Sequence, residues 1–272
     1  MLTFITLFLS GCIVGLAGAF LGIGGGVIII PLLTVVFNYP VHEAVATSLA
    51  IVVANSVSAS SKYLKSGIAN LPLAFLVAIF TVAGSITGGI ISVNTSAKVL
   101  YITLACAQFL TLALMLAKPR LMKMAKPKTS GGAFQAEYHD TSLGQTTKYG
   151  VYHIPSLCGI SGVTGTLSGL VGIGGGVMIV PIMNIFSGIP IKAAVATSSF
   201  IMGFTAGGGA IVFFLSGYTR PETIAAMVPG IFLASHFAAG YMHKVNGEKL
   251  YKGFMLFLFV VACQMMYRGI SQ

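Results

Sequence analysis

Gly22-Ile-Gly-Gly-Gly-Val-Ile-Ile-Ile-Pro31 and Gly172-Ile-Gly-Gly-Gly-Val-Met-Ile-Val-Pro181 stand 150 residues apart and agree at eight of ten positions. The same offset, with no insertion, aligns Pro40 with Pro190, Ala44-Val-Ala-Thr-Ser48 with Ala194-Val-Ala-Thr-Ser198, Ser66-Gly67 with Ser216-Gly217, and Leu100-Tyr101 with Leu250-Tyr251. Self-similarity at a fixed spacing marks a duplicated architecture. It divides the chain into an N-terminal half, residues 1–117, a linker, 118–150, and a C-terminal half, 151–272.

The solvent of this chain follows from its composition. Of 272 residues, 56% are hydrophobic and 7% charged, against about a quarter charged in a soluble domain. No Asp, Glu, Lys or Arg precedes Glu43, and none lies between Lys65 and Lys98, Lys148 and Lys192, or Glu222 and Lys244. Each gap exceeds the roughly 20 apolar residues that cross a bilayer core. The expectation is an all-α, polytopic integral membrane protein. Met1 to Ser10 lacks the basic leader of a removable signal. Cys12, Cys106, Cys158 and Cys263 stand singly in apolar segments, in no disulfide or zinc spacing; neither a metal nor a cofactor is expected.

The net charge of +10 would suggest nucleic acid in a soluble protein, but its location points elsewhere. Lys118, Arg120, Lys123, Lys126, Lys128 and Lys148 share the linker with only Glu137 and Asp140 opposing them. The positive-inside rule makes that linker cytoplasmic, and it reads as a solvated connection. Membrane lipid is the expected surround, with Tyr39, Tyr63, Tyr101, Tyr218, Tyr241, Tyr251 and Tyr267 near segment ends as headgroup anchors.

Each half shows four hydrophobic segments: about 3–37, 44–64, 71–93 and 97–117, then 152–187, 193–216, 222–242 and 250–267. The first of each set is too long. Some 35 residues of unbroken helix would measure about 52 Å, so the glycine motif in its middle is expected to break it. Counting the broken half-helices gives 8–10 membrane helices. A broken first segment adds an even number of crossings, each half then crosses an odd number of times, and the halves become inverted repeats. With the linker inside, inversion puts twelve Lys and Arg in the cytoplasm and leaves Lys98, Arg220 and Arg268 outside; counting each first segment as one span gives ten and five.

The chemistry is sought at the breaks. Three glycines, Gly24, Gly25 and Gly26, and their counterparts Gly174, Gly175 and Gly176, permit positive φ and close approach of backbone to a ligand. The helix that follows each set begins with free N–H groups and about half a positive charge, an anion site that needs no buried lysine. No Gly-Lys-Ser/Thr follows either motif, so neither is a nucleotide loop. Thr47, Ser48, Thr197 and Ser198 open the next segments, with Asn55 one or two turns on and Thr205 at its repeat position; their hydroxyls and amide can replace part of a substrate's hydration shell. No carboxylate lies mid-segment, which leaves His236 as the buried titratable candidate for coupling to a proton. A sodium ion is the other candidate for coupling.

Duplicated Gly-x-Gly-Gly-Gly…Pro followed by Pro…Ala-Val-Ala-Thr-Ser, across a basic central loop, resembles the TauE/SafE sulfite-exporter family of membrane permeases. The resemblance covers nearly the whole chain outside 118–150. It implies a transporter, not an enzyme, in a bacterial or archaeal inner membrane, with sulfite, thiosulfate or an organosulfonate such as sulfoacetate as substrate. It also points to Gly24 to Gly26, Thr47, Ser48, Gly174 to Gly176, Thr197 and Ser198 as the residues to carry over. Pro221-Glu222 replaces Leu71-Pro72 in the second half, so that loop departs from the repeat. Two rival readings are a passive anion channel and a rhomboid-like intramembrane protease built on Ser161, in a Gly-x-Ser-Gly, with His236 as base.

Overall fold

Pro40 and Pro190, 150 residues apart, each start a 25-residue helix, each with extended ψ (φ −54°, ψ 143° and 141°). Each accepts the first helical bond, from Ala44 N at 3.0 Å and Ala194 N at 2.8 Å. The structure, a computed structural model, describes residues 2–21, 24–124, 133–140, 145–241 and 247–271. Gly22, Lys126, Lys128 and Lys244 of the sequence reading lie outside them. Ten α-helices and two strands are described: α1 (Leu2–Leu21), α2 (Gly26–Pro31), α3 (Val41–Lys65), α4 (Leu71–Val93), α5 (Ala97–Met124), β1 (Ala133–Asp140), β2 (Gln145–Val151), α6 (Ile154–Val171), α7 (Gly176–Ile185), α8 (Ile191–Leu215), α9 (Pro221–Tyr241) and α10 (Gly247–Ser271). A wide turn over Leu32–Val36 prolongs α2, with Phe37 N bonding Leu32 O at 3.3 Å.

Among the described residues, four helices are long and apolar enough to cross a membrane: Val41–Lys65, Leu71–Val93, Ile154–Val171 and Lys192–Leu215. Phe4–Ala19, Gly26–Val36 and Ala97–Leu110 are shorter apolar helical stretches. Large apolar side chains cover the outside as well as the core. Phe4, Leu9, Ile13, Phe75, Ile79, Phe232 and Phe237 face outward, while Thr47, Ser48, Asn55, Thr81, Ser85, Ser161 and Thr205 are buried. Apolar surface on this scale needs an apolar surround.

Helix ends are set locally. Asn70 caps α4, its Oδ1 accepting from Leu73 N at 3.2 Å, with Pro72 in the first turn. Both α3 and α8 stop at a left-handed glycine: Gly67 (φ 66°) donates to Leu64 O and Ile68 to Tyr63 O, and Gly217 (φ 76°) and Tyr218 repeat those bonds to Phe214 O and Phe213 O. This is the glycine C-terminal motif. Glu43 in the first turn of α3, with Lys62 and Lys65 in its last, matches the helix dipole.

Helices α3 and α8 pack together in antiparallel fashion. The end of α3 meets the start of α8, where Asn70 N donates to Thr197 Oγ1 at 3.0 Å. At the other end, His42 of α3 stacks on Tyr218 just beyond α8. Around this pair, α4 packs on α6 and α8, α9 on α1 and α3, and α5 on α10. Small residues bring these backbones close: a Cβ on Gly15 would lie 2.7 Å from Ile231 O, and Gly165 presses the same way on Thr81, the repeat position of Ile231.

The linker departs from expectation. Instead of a solvated connection it contains an antiparallel hairpin, Ala136 opposite Tyr149 and Tyr138 opposite Thr147, and β2 runs to Val151. Tyr138, Tyr149 and Val151 are buried against Leu73, Val77, Ile189 and Ala193, and Phe134 O accepts from Asn70 Nδ2 at 2.9 Å. The hairpin therefore covers the end of the bundle where α3 finishes and α8 begins. Burial pushes the Tyr149 phenol up to about 12, the Asn70 amide opposing the shift. Among the proposed headgroup anchors, Tyr63 and Tyr101 are buried in the bundle and Tyr267 is exposed; the side chains of Tyr241 and Tyr251 lie outside the described residues.

Candidate functional site

The two glycine breaks touch. A Cβ on Gly26 would lie 2.7 Å from Gly172 O and 2.8 Å from Ile173 O, so the two breaks meet backbone to backbone. Gly24, Gly25, Gly174 and Gly175 have φ of 77°, 83°, 84° and 75°, a left-handed run that side chains resist. Val52 of α3 and Met202 of α8, themselves 150 residues apart, form the walls. Gly24 and Gly176 press on Met202, and Gly174 presses on Val52.

Ser48 joins this point, its Oγ donating to Gly172 O at 2.8 Å. Thr47 is fully buried, and its Oγ1 has no hydrogen-bond partner. Asn55 stands where a Cβ on Gly18 would be 2.8 Å from its Nδ2 and 3.0 Å from Gly25 N; its Oδ1 is unpartnered. Leaving such groups unpaired is costly, and a polar ligand would offset that cost. The breaks, Ser48 and Asn55 are thus brought together. Thr197, Ser198 and Thr205 are engaged elsewhere: Thr197 with Asn70 N, Ser198 with Val195 O at 3.0 Å, and Thr205 with Thr81 Oγ1 at 2.7 Å, an interhelical bond to α4.

His236 lies on the outer face of α9 beside Phe237, not buried as expected; the inward position is taken by Ser235, which donates to Ser58 Oγ at 2.8 Å. One residue on a helix turns a side chain by about 100°, which separates the two faces. Ser161 is buried on α6 with no partner for its hydroxyl, so no nucleophile–base pair forms with His236.

A cluster at the start of α3 escaped the sequence reading. Arg220 pairs with Glu43 and lies 4.9 Å over the Tyr39 ring; Tyr39 OH meets Thr223 Oγ1 at 2.9 Å, and His42 Nε2 lies 3.0 Å from Thr95 O. Glu43, by hydrogen bond and by charge, raises the Arg220 guanidinium further above its ordinary range. The signal was a joint departure from the repeat, since Glu43 aligns with Ala193 and Arg220 with Asn70. Among the described residues no group of acidic, His and Cys side chains could hold a metal ion.

Comparison with known proteins agrees with this architecture. Residues 7–265 match the family described as Sulfite exporter TauE/SafE. The "Probable membrane transporter protein YunE" of Bacillus subtilis is 28% identical over 99% of both chains. A "Probable membrane transporter protein" of Methanocaldococcus jannaschii is 32% identical over 76% of this chain and 71% of its own. A third relative, YdhB of Bacillus subtilis, likewise described as a probable membrane transporter protein, is 26% identical over 89% of each chain. No solved structure matches. With the match spanning both breaks and the linker between them, the chain belongs to the TauE/SafE sulfite exporter family of membrane transporters.

Proposed function

We propose that the protein is a secondary transporter for a small sulfur-containing anion, sulfite, thiosulfate or an organosulfonate, working by alternating access around the paired glycine breaks. The observation that carries this reading is the meeting of Gly26 with Gly172 and Ile173 between Val52 and Met202. Two helix starts, the Ser48 hydroxyl and the Asn55 amide converge there, with no Lys or Arg side chain buried among the described residues. Free N–H groups and oriented dipoles suit an oxyanion that must bind and then leave.

On this reading residues 1–117 and 151–272 are inverted repeats, together 8–10 membrane helices in a bacterial or archaeal inner membrane, with 118–150 cytoplasmic. Antiparallel α3 and α8, and the exchange of α4·α6 for α9·α1, support that arrangement. The two ends close differently. The outer end is held by Tyr39, His42, Glu43, Tyr218 and Arg220; at the inner end the hairpin seals the repeat-equivalent surface around Ile68, Asn70, Ile189 and Ala193.

The test is counterflow of radiolabelled sulfite, thiosulfate and sulfoacetate in proteoliposomes, with and without a pH or sodium gradient. Saturable counterflow is expected for at least one of them, and a gradient that drives uphill uptake names the coupling ion. Gly25→Leu and Gly175→Leu are expected to insert and to lose flux. Wild-type flux in both would overturn the site; conductance without saturation would make the protein a channel.

A further inference from the structure

The two breaks, alike in sequence, are finished differently on their outer sides. Beside Gly25 stand Val14, 2.7 Å from where a Cβ would be, and the amide of Asn55 next to Gly18. In the second half the counterparts are smaller or more polar: Ser168 replaces Gly18, Thr164 replaces Val14, and Thr205, tied to Thr81, replaces Asn55. Here the structure holds a cavity of about 170 Å³ between α5, α6 and α7.

Its walls are Leu110, Leu167, Ile173 and Met178, with Ser168 and Gly175 at the inner side. Cys106 and Leu110, both exposed, place its mouth on the bilayer-facing surface. Ser168 is 2% exposed and its hydroxyl has no partner. Its Oγ lies 3.6 Å from the Cβ position of Gly175, the residue that caps the start of the ten-residue α7, whose first N–H groups have no intrahelical acceptor. An apolar cavity of about 150 Å³ accepts a benzene-sized guest, so this one has room for more than a bare oxyanion.

We infer that the break at Gly175 alone carries a one-sided subsite, in which Ser168 and the start of α7 take the charged end of an organic anion and the Leu110–Met178 cavity takes its short apolar body. This rests on the transport reading and narrows it to amphiphilic anions. A bare inorganic oxyanion would leave the apolar walls unfilled and gain nothing from them.

The chain contains no Trp, so Leu110→Trp places a single emitter at the cavity wall. In nanodiscs this variant is titrated with 3-bromopropane-1-sulfonate, whose heavy atom quenches on contact, and the titration is repeated with sulfite as competitor and with Ser168→Ala added. The expected result is saturable quenching, a Kd at least tenfold weaker with Ser168→Ala, and poor competition by sulfite. Linear quenching, unchanged affinity with Ser168→Ala, or quenching only by lipids with brominated acyl chains would overturn the subsite, the last by assigning the cavity to a lipid chain. The two readings fail separately: flux of an organosulfonate without saturable quenching removes the subsite alone, whereas saturable quenching in a protein that passes no anion removes transport and leaves the subsite.

Discussion

Gly26→Ala adds one methyl group at the place where the two breaks touch, and its cost can be worked from the distances. The new Cβ would stand 2.7 Å from Gly172 O, 2.8 Å from Ile173 O and 2.9 Å from Ile173 C, all backbone atoms that no rotamer change can move. Carbon–oxygen contacts of this kind settle at about 3.3 Å or more, so the breaks must part by about 0.6 Å. Overpacking of that kind costs about 1–3 kcal/mol, and at roughly 2–4 °C per kcal/mol the thermal midpoint in detergent should fall by about 2–12 °C. Counterflow should fall by more than tenfold, because the breaks would no longer present a common surface. The control is Gly159→Ala on α6, where nothing lies within 4 Å of the new Cβ; it should be neutral, or stabilising by up to about 1 kcal/mol through helix propensity. Wild-type midpoint and flux in Gly26→Ala would refute the contact between the breaks. A lowered midpoint with full flux would reduce that contact to packing.

Two further predictions concern the ends of the bundle. The side chains of Arg220 and Glu43 are 48% and 21% exposed, so a double-mutant cycle with Glu43→Gln and Arg220→Gln should give a coupling below about 1 kcal/mol that shrinks in high salt; a salt-insensitive coupling above about 3 kcal/mol would refute the exposed-pair description. For the hairpin, Tyr149 rises from 10.0 to about 12 on burial. The folded state therefore holds its proton more tightly, the contribution to docking is complete below the ordinary value of 10.0, and it is lost as pH rises towards 12. Limited proteolysis of the linker should stay constant up to pH 10 and accelerate above it, with Tyr149→Phe removing the contribution of this phenol; acceleration that is identical in Tyr149→Phe would place the release elsewhere.

Much of the helical plan was legible because it is written in local terms. Proline at 40 and 190, Ser-Gly at 66–67 and 216–217, and the glycine runs each impose their geometry within a few residues, and the apolar segments end within a few residues of the observed helices, except that α5 runs on past 117 to Met124. The hairpin was harder. Phe134, Ala136 and Tyr138 alternate with polar residues, as strands do, but they adjoin a lysine-rich stretch whose charge set the reading. His236 shows the opposite limit: hydropathy locates a residue along a helix, whereas the face it occupies depends on which neighbour packs there, and α9 turns Ser235 rather than His236 toward α3. At the site, the glycines announced a break, yet their meeting across 150 residues and the unequal surroundings of Gly25 and Gly175 depend on tertiary packing.

The pairing of α1 with α9 also bears on how the chain is made. Leu21 ends α1 and Pro221 begins α9, so about 200 residues must be synthesised before the first helix meets its principal neighbour. At roughly 5–20 residues per second this takes about 10–40 s. Throughout that interval the face that will later meet α9, with Gly11 and Gly15 along it, has only lipid or the insertion machinery for company. Assembly of the first helix is thus a late event, and substitutions along that face should lower the yield of assembled protein in cells more than they shift the melting of protein already assembled.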